Sequence, residues 1–229
     1  MPPAEFDAYA ADYDAQHAAS IRLSGEEPDY FARYKAEDAA RALAAAGLEP
    51  ARILDFGAGI GNAVPHLQRA FPSSRLTALD VSDASLQQAQ ARALRPIDLA
   101  SYDGSLLPFA DGSFDFAFTA CVFHHIDEED HVRLLGEIRR VLSARGRFML
   151  FEHNPYNPLT RHAVANCPFD EHAVLITAPE MRRRLLKAGF TQVQRTYRIF
   201  FPAPLAALRP LERALGWLPL GAQYSLLAR

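Results

Sequence analysis

The chain has 229 residues, 49% hydrophobic and 22% charged, and its 24 Lys plus Arg against 27 Asp plus Glu leave a net charge of −3. That apolar content over that length supports one substantial core and excludes disorder for most of the chain. The slight acidic excess argues against a dedicated nucleic-acid binder, no apolar run approaches the ~20 residues of a membrane helix, and two cysteines, Cys121 and Cys167, cannot build a disulfide framework.

The N-terminal stretch MPPAEFDAYAADYD lacks the basic start and apolar segment of a secretory signal, so a cytoplasmic protein is expected. Residues 1–46 are Ala-rich, and the run from Tyr30 to Ala46 is free of Pro and Gly, predicting a helix that stops at Gly47. Arg52 to Phe56 is a short apolar strand that ends at glycines, followed by a helix from Asn62 to Phe71. Arg75 to Asp80 is the next strand, and Ser82 is placed to cap a helix reaching Leu94. Ile97 to Tyr102 and Phe114 to Cys121 predict two more strands, the second apolar on both faces, as a strand between helix layers should be. Val132, Leu135, Ile138, Val141 and Leu142 recur at helical spacing, with Gly146 as the expected helix stop before a strand over Arg147 to Glu152. Asn154 to Ile176 reads as a loop with short helices. Thr177 to Glu180 is a capping box opening a helix that ends at Gly189. Thr191 to Phe201 predicts a strand, Pro202 to Pro219 an excursion, and Tyr224 to Arg229 a final strand. Strands alternating with helices argue for a parallel sheet joined by right-handed crossovers.

The most informative run is Asp55-Phe56-Gly57-Ala58-Gly59-Ile60-Gly61-Asn62. Its glycines permit a tight strand-to-helix turn and close backbone approach to a ligand. A dinucleotide fingerprint places its third glycine where this chain has Asn62. A pyrophosphate on the helix N-terminus would also be repelled by Asp55, whereas a ligand carrying an ammonium would be attracted. Asp80 ends the next strand, 19 residues after Gly61, where nucleotide-binding folds put an acid on ribose hydroxyls. Asp103 ends the third strand, where a carboxylate can accept a hydrogen bond from an adenine amino group. Three acids at three successive strand ends suit an adenosyl ligand with positive charge.

The runs ILDFGAGIGN from Ile53, LTALDVS from Leu76, YDGSLLPFADGSFDFAF from Tyr102 and CVFHHI from Cys121 resemble the class I S-adenosylmethionine (SAM)-dependent methyltransferases over roughly residues 50–150. EHNPYNPLT from Glu152, CPFDEHAVLI from Cys167 and PLGAQYSLLAR from Pro219 resemble a bacterial small-molecule subgroup of that family. The resemblance implies an α/β fold: a seven-stranded, mainly parallel sheet with helices on both faces and its last strand antiparallel beside the sixth. It also implies an N-terminal helical cap over residues 1–46, with YAADYD from Tyr9 as its entry segment, and a SAM-binding domain over 47–229 with an acceptor-side insert at about 154–178. The roles it implies are these: Asp55 holds the methionine amino group, and Gly57, Gly59 and Gly61 let the backbone approach. Asp80 takes the ribose hydroxyls, with Val81 against adenine. Asp103 and Gly104 read the adenine edge, backbone near Ala120 meets the methionine, and Tyr13 closes over the sulfonium.

Other residues carry competing readings. His124 and His125 lie at a strand-to-helix junction, where a structural role is expected, more so for His125. Glu152 and His153 end a strand at the ligand edge of an open sheet and are the candidate catalytic pair; imidazole, which titrates near neutrality, can act as a base. Asn154-Pro155-Tyr156 follows the fifth strand and lacks a second proline, so it is read as a turn. Glu152, His153 and Asp170 fit no standard metal spacing, and no metal is expected. Phe109, Phe114, Phe116 and Phe118 are read as core, Arg182-Arg183-Arg184 as a solvated helix face, and Tyr9, Tyr13, Tyr30 and Tyr34 as either cap packing or pocket lining. The expected function is methyl transfer from SAM to a small-molecule acceptor, O-methylation before N or C. A non-catalytic SAM sensor and a macromolecule methyltransferase stay open as alternatives, as do monomer and homodimer.

Overall fold

The computed structural model describes residues 13–229. Tyr9 and the first part of the YAADYD segment lie outside the described residues. Among the described residues, helices α1 (Tyr13–Ile21) and α2 (Pro28–Ala45) precede β1 (Arg52–Phe56). The chain continues through α3 (Val64–Ala70), β2 (Arg75–Asp80), α4 (Asp83–Arg92), β3 (Asp98–Ser101), β4 (Phe114–Ala120), α5 (His131–Val141) and β5 (Leu142–His153). It then forms α6 (Pro158–Ala165), α7 (Ala178–Lys187), β6 (Val193–Arg198), α8 (Glu212–Leu215) and β7 (Gln223–Ala228).

The seven strands make one sheet in the order β3-β2-β1-β4-β5-β7-β6. β1 to β5 are mutually parallel; β7 runs antiparallel to both β5 and β6 and lies between them. This is the architecture expected from the sequence. Phe116, Phe118, Met149 and Phe151 lie on one sheet face with Ala36, Ala39 and Leu43 of α2, all at most 1% exposed. Phe148, Leu150, Tyr224 and Leu226 face the other side, against Met181 and Leu185 of α7. Burying one such side chain contributes about 1.5–3 kcal/mol, so both faces anchor the strands firmly.

Local signals act as expected at several ends. Gly47 follows α2 at φ +65°, and Ser82 Oγ accepts the Ser85 N–H to cap α4. Thr177 Oγ1 accepts the Glu180 N–H at 3.4 Å, but the Glu180 carboxylate turns to Arg183 and Arg184 instead of closing the capping box. The expected helix stop at Gly146 is not used: α5 ends at Val141 and β5 begins at once. Gly146 lies in a register shift of β5 opposite Phe114 and Phe116, where an added Cβ would come within 3.0 Å of the Ser143 carbonyl oxygen. Arg184 also departs from the solvated face assigned to it. It is 7% exposed and donates to His131 Nδ1, Glu128 and Glu180, a helix-to-helix bridge that the local period could not reveal.

Candidate active site

Pairing register brings the chemistry to one edge. Asp55 pairs with Ala78 and Phe118, Asp80 with Ser101, Ala120 with Phe151, and His153 with Gln223 of the antiparallel β7. The C-terminal ends of the parallel strands therefore share a rim with the start of β7, at the point where strand order reverses between β1 and β4. A cavity of about 660 Å³ opens there, within the usual size of a small-molecule site. Tyr13, Asp55, Gly57, Gly59, Asp80, Val81, Asp103, Gly104, Ala120 and His153 all line it.

The loop after β1 folds back on β2, with the Gly57 and Ala58 N–H groups donating to the Leu79 carbonyl. Asp80 fastens it: Oδ2 accepts the Gly59 N–H at 2.7 Å and Oδ1 the Ser82 N–H at 3.0 Å. Gly59, at φ +52°, has open space where a side chain would stand. Gly61 departs from the ligand-facing role expected of it. Its missing Cβ would lie 2.5 Å from Ala89 Cα, so it admits helix α4.

Asp55 is 2% exposed, and its Oδ2 has no hydrogen-bond partner among the described residues. Burial, reinforced by the Asp80 charge, pushes its carboxyl up to about 7. Asp103 is exposed, and its Oδ1 accepts from the Ser105 N–H at 2.8 Å and the Ser105 hydroxyl, contacts that hold its pKa low. It thus builds its own turn while bordering the cavity.

The opposite end of the cavity is rich in imidazoles. Glu152, expected beside His153 as a catalytic group, is 1% exposed and does not reach the cavity. Its Oε1 accepts the Val122 and Phe123 N–H groups at 3.1 and 2.7 Å, and its Oε2 meets His124 Nδ1 at 2.6 Å. Burial opposes ionisation of Glu152, yet the facing His124 and these bonds hold the carboxyl at about 2. For His124, burial favours the neutral ring, but Glu152 and Asp170 outweigh it and raise the pKa to about 10. The structural role anticipated for His125 falls to His124, 2% exposed, whereas His125 is only partly buried.

Several groups went unnoticed in the sequence. Lys35 of α2 is 8% exposed; its polar partner among the described residues is Cys121 Sγ, at 3.3 Å. Cys121 holds a left-handed φ of 60° just past β4. Burial alone would raise its thiol, but His153 and Lys35 draw it down to about 7. His17 of α1 is lowered to about 4 by burial and by the charges of Lys35 and His153. Tyr13 stacks on Phe169 at 4.4 Å, bringing α1 against the segment after α6. Asn154 Oδ1 accepts the Tyr156 N–H and its amide donates to the Pro219 and Gly221 carbonyls, forming the turn expected there.

The chemistry of this donor set fits SAM better than a dinucleotide. The buried Asp55 carboxyl, the Asp80 carboxylate beside it and a glycine open to the cavity would repel a pyrophosphate and attract an ammonium.

Residues 53–146 match the family described as "Methyltransferase domain". The malonyl-[acyl-carrier protein] O-methyltransferase of Geobacter sulfurreducens is 32% identical over 195 residues, which cover 81% of this chain and 68% of that protein. The demethylmenaquinone methyltransferase of Thermotoga maritima is 36% identical over 110 residues, 48% of this chain and 47% of that one. A solved SAM-dependent methyltransferase from Thermotoga maritima shares the fold with a TM-score of 0.70 at 19% identity, covering 99% of this chain and 98% of that one. The chain belongs to the class I SAM-dependent methyltransferases, with S-adenosylmethionine as cosubstrate.

Proposed function

We propose that this enzyme moves the SAM methyl group to an oxygen of a small, acidic acceptor. The observation that carries the reading is one cavity that runs from the acids Asp55, Asp80 and Asp103 to the buried Lys35 ammonium, flanked by His17 and His153. That ammonium has a thiol and no carboxylate against it among the described residues, so an anionic acceptor complements it. SAM, when bound, supplies a methyl group made electrophilic by the sulfonium. The residues bind, orient and exclude water. Asp55 holds the methionine ammonium, Asp80 the ribose hydroxyls, and Val81, Asp103 and Gly104 the adenine. Gly57 and Gly59 let backbone approach, Ala120 borders the methionine, and Tyr13 covers the sulfonium from the N-terminal cap. His153 accepts the acceptor proton where one must leave. Glu152 positions the turn after β4 through two backbone N–H groups and His124. Holding both reactants in line can supply roughly 7–11 kcal/mol of the barrier reduction.

The malonyl-[acyl-carrier protein] relative is named for O-methylation, which supports the choice of oxygen; the quinone-pathway relatives are named as methyltransferases without that restriction or for carbon. The test is transfer of labelled methyl from SAM to matched carboxylic acids, phenols and amines. Incorporation into acids or phenols is expected, and incorporation into amines alone would overturn the oxygen assignment. His153→Ala should retain SAM affinity and lose turnover with a hydroxyl acceptor. Asp80→Ala should weaken SAM binding by roughly 1–3 kcal/mol, since it removes charge-assisted hydrogen bonds to ribose.

A further inference from the structure

We propose that His124, His125 and Asp170 form a binding site for one divalent ion of the zinc type at the acceptor end of the cavity. The one available oxygen and two imidazole nitrogens lie within 4.8 Å of one another. Asp170 Oδ1 stands 3.5 Å from His124 Nε2 and 3.3 Å from His125 Nε2. A charge-assisted hydrogen bond between such groups spans about 2.7–2.9 Å. Two ligands each about 2.1 Å from a tetrahedral ion lie about 3.4 Å apart. The two separations from Asp170 match the second geometry. Asp170 Oδ1 is buried and has no hydrogen-bond partner of ordinary geometry among the described residues.

The surroundings orient the ligands. His124 Nδ1 lies 2.6 Å from Glu152 Oε2, which keeps a proton on that nitrogen, so an ion would displace the proton on Nε2 and bind on the side that faces Asp170. Carboxylate–histidine–metal relays are built in this way. Glu152 is itself held by the Val122 and Phe123 N–H groups, so the ring has little freedom. Asp170 arrives from a separate element, the short 3₁₀ turn Pro168–Asp170, so the grouping is tertiary and shows no sequence motif. Two nitrogens and one carboxylate favour zinc or a neighbouring first-row ion over magnesium or calcium. Three protein ligands leave one position open, as catalytic zinc sites do, and all three residues border the cavity. The open position suits an anionic oxygen ligand, a carboxylate or an enolate. The proposal concerns the same cavity as the methyltransferase reading but rests on separate groups, so the two can fail separately.

The test uses full-length protein stripped with a chelator and titrated with Co²⁺, followed by its visible d–d absorption and by displacement with Zn²⁺. One ion per chain is expected, with the intense bands of low coordination number. Asp170→Asn and His125→Gln should each weaken binding about tenfold or more, while His172→Ala, at an exposed position outside the cavity, should not. Circular dichroism of each variant reports its fold. Absence of stoichiometric Co²⁺ binding by the wild-type chain overturns the proposal whatever the variants do. So does a thiolate-to-cobalt charge-transfer band, which would put the ion on Cys121. S-adenosylhomocysteine binding measured on the same samples separates this failure from failure of the methyltransferase reading.

Discussion

Asp55 is a carboxyl with a buried, unshared oxygen and a pKa near 7, raised first by burial and then by Asp80. A folded-state value above the usual 3.8 means that the folded chain holds the proton more tightly. The stability this contributes is present below the unfolded value and disappears as pH rises through about 7. A bound ammonium favours the ionised form, so binding of S-adenosylhomocysteine should release a proton in the acid range. Its affinity should climb about tenfold per pH unit from 5 to 7 and then level off. Isothermal calorimetry across that range checks this, and Asp55→Asn should flatten the profile. The glycines separate by neighbour. Gly61→Ala should lose about 2–4 kcal/mol of stability, from a Cβ against the Ala89 backbone and an unfavourable φ. Gly59→Ala meets open space, so it should cost about 1 kcal/mol of stability while weakening ligand binding. Urea unfolding with parallel binding assays separates the pair. Asp55, Asp80 and Asp103 were legible because each stands where an apolar run stops. Lys35, Cys121 and His17 were not: Lys35 is one polar residue on a helix, and its burial depends on what the fold lays across it.

Between β4 and β5 the connection is held by Glu152, whose two oxygens engage two backbone N–H groups and one imidazole. Removing one partner of a buried ion pair strands the other charge, so Glu152→Ala should cost about 3–5 kcal/mol in equilibrium unfolding. Glu152→Gln, which keeps one carbonyl acceptor for the N–H groups, should lose less. Its end-of-strand position was plain in the sequence, but its direction was not: a strand end says which edge a residue reaches, and only packing says whether it turns inward. The segment 154–176 was read as loop with short helices, and α6 with the 3₁₀ turn at Pro168–Asp170 fits that reading. What could not be foreseen is that Phe169 and Asp170 return over the strand ends, one stacking on Tyr13 and the other meeting the two histidines. Helix α1 is pinned further by Arg92, which bonds Asp14 at 2.6 Å and Asn62 at 2.7 Å, linking it to the glycine loop and α4.

At the scale of the whole chain, a ligand spanning the strand ends touches elements from α1 to β7, so its binding energy should appear as global stability. S-adenosylhomocysteine at a hundred times its dissociation constant should add about 2.7 kcal/mol. For a domain of this size that raises Tm by about 5–10 °C in differential scanning fluorimetry, and NAD should give no shift. The net charge of −3 gives no basic excess of the kind that a nucleic-acid backbone attracts. No helix among the described residues is long and apolar enough to cross a membrane. Alternation of strands and helices made the parallel part of the sheet readable, since each period announces its own element; the place of β7 came only with the family resemblance, because pairing order leaves no local trace. That placement governs how the molecule must assemble. β5 and β6 become neighbours of a common strand that is later in sequence than either, so their facing edges stay unsatisfied while the rest of the sheet forms. Closure requires contacts of long sequence separation and is therefore slow, which leaves two open strand edges as the stage at which this protein is most prone to pair with other chains.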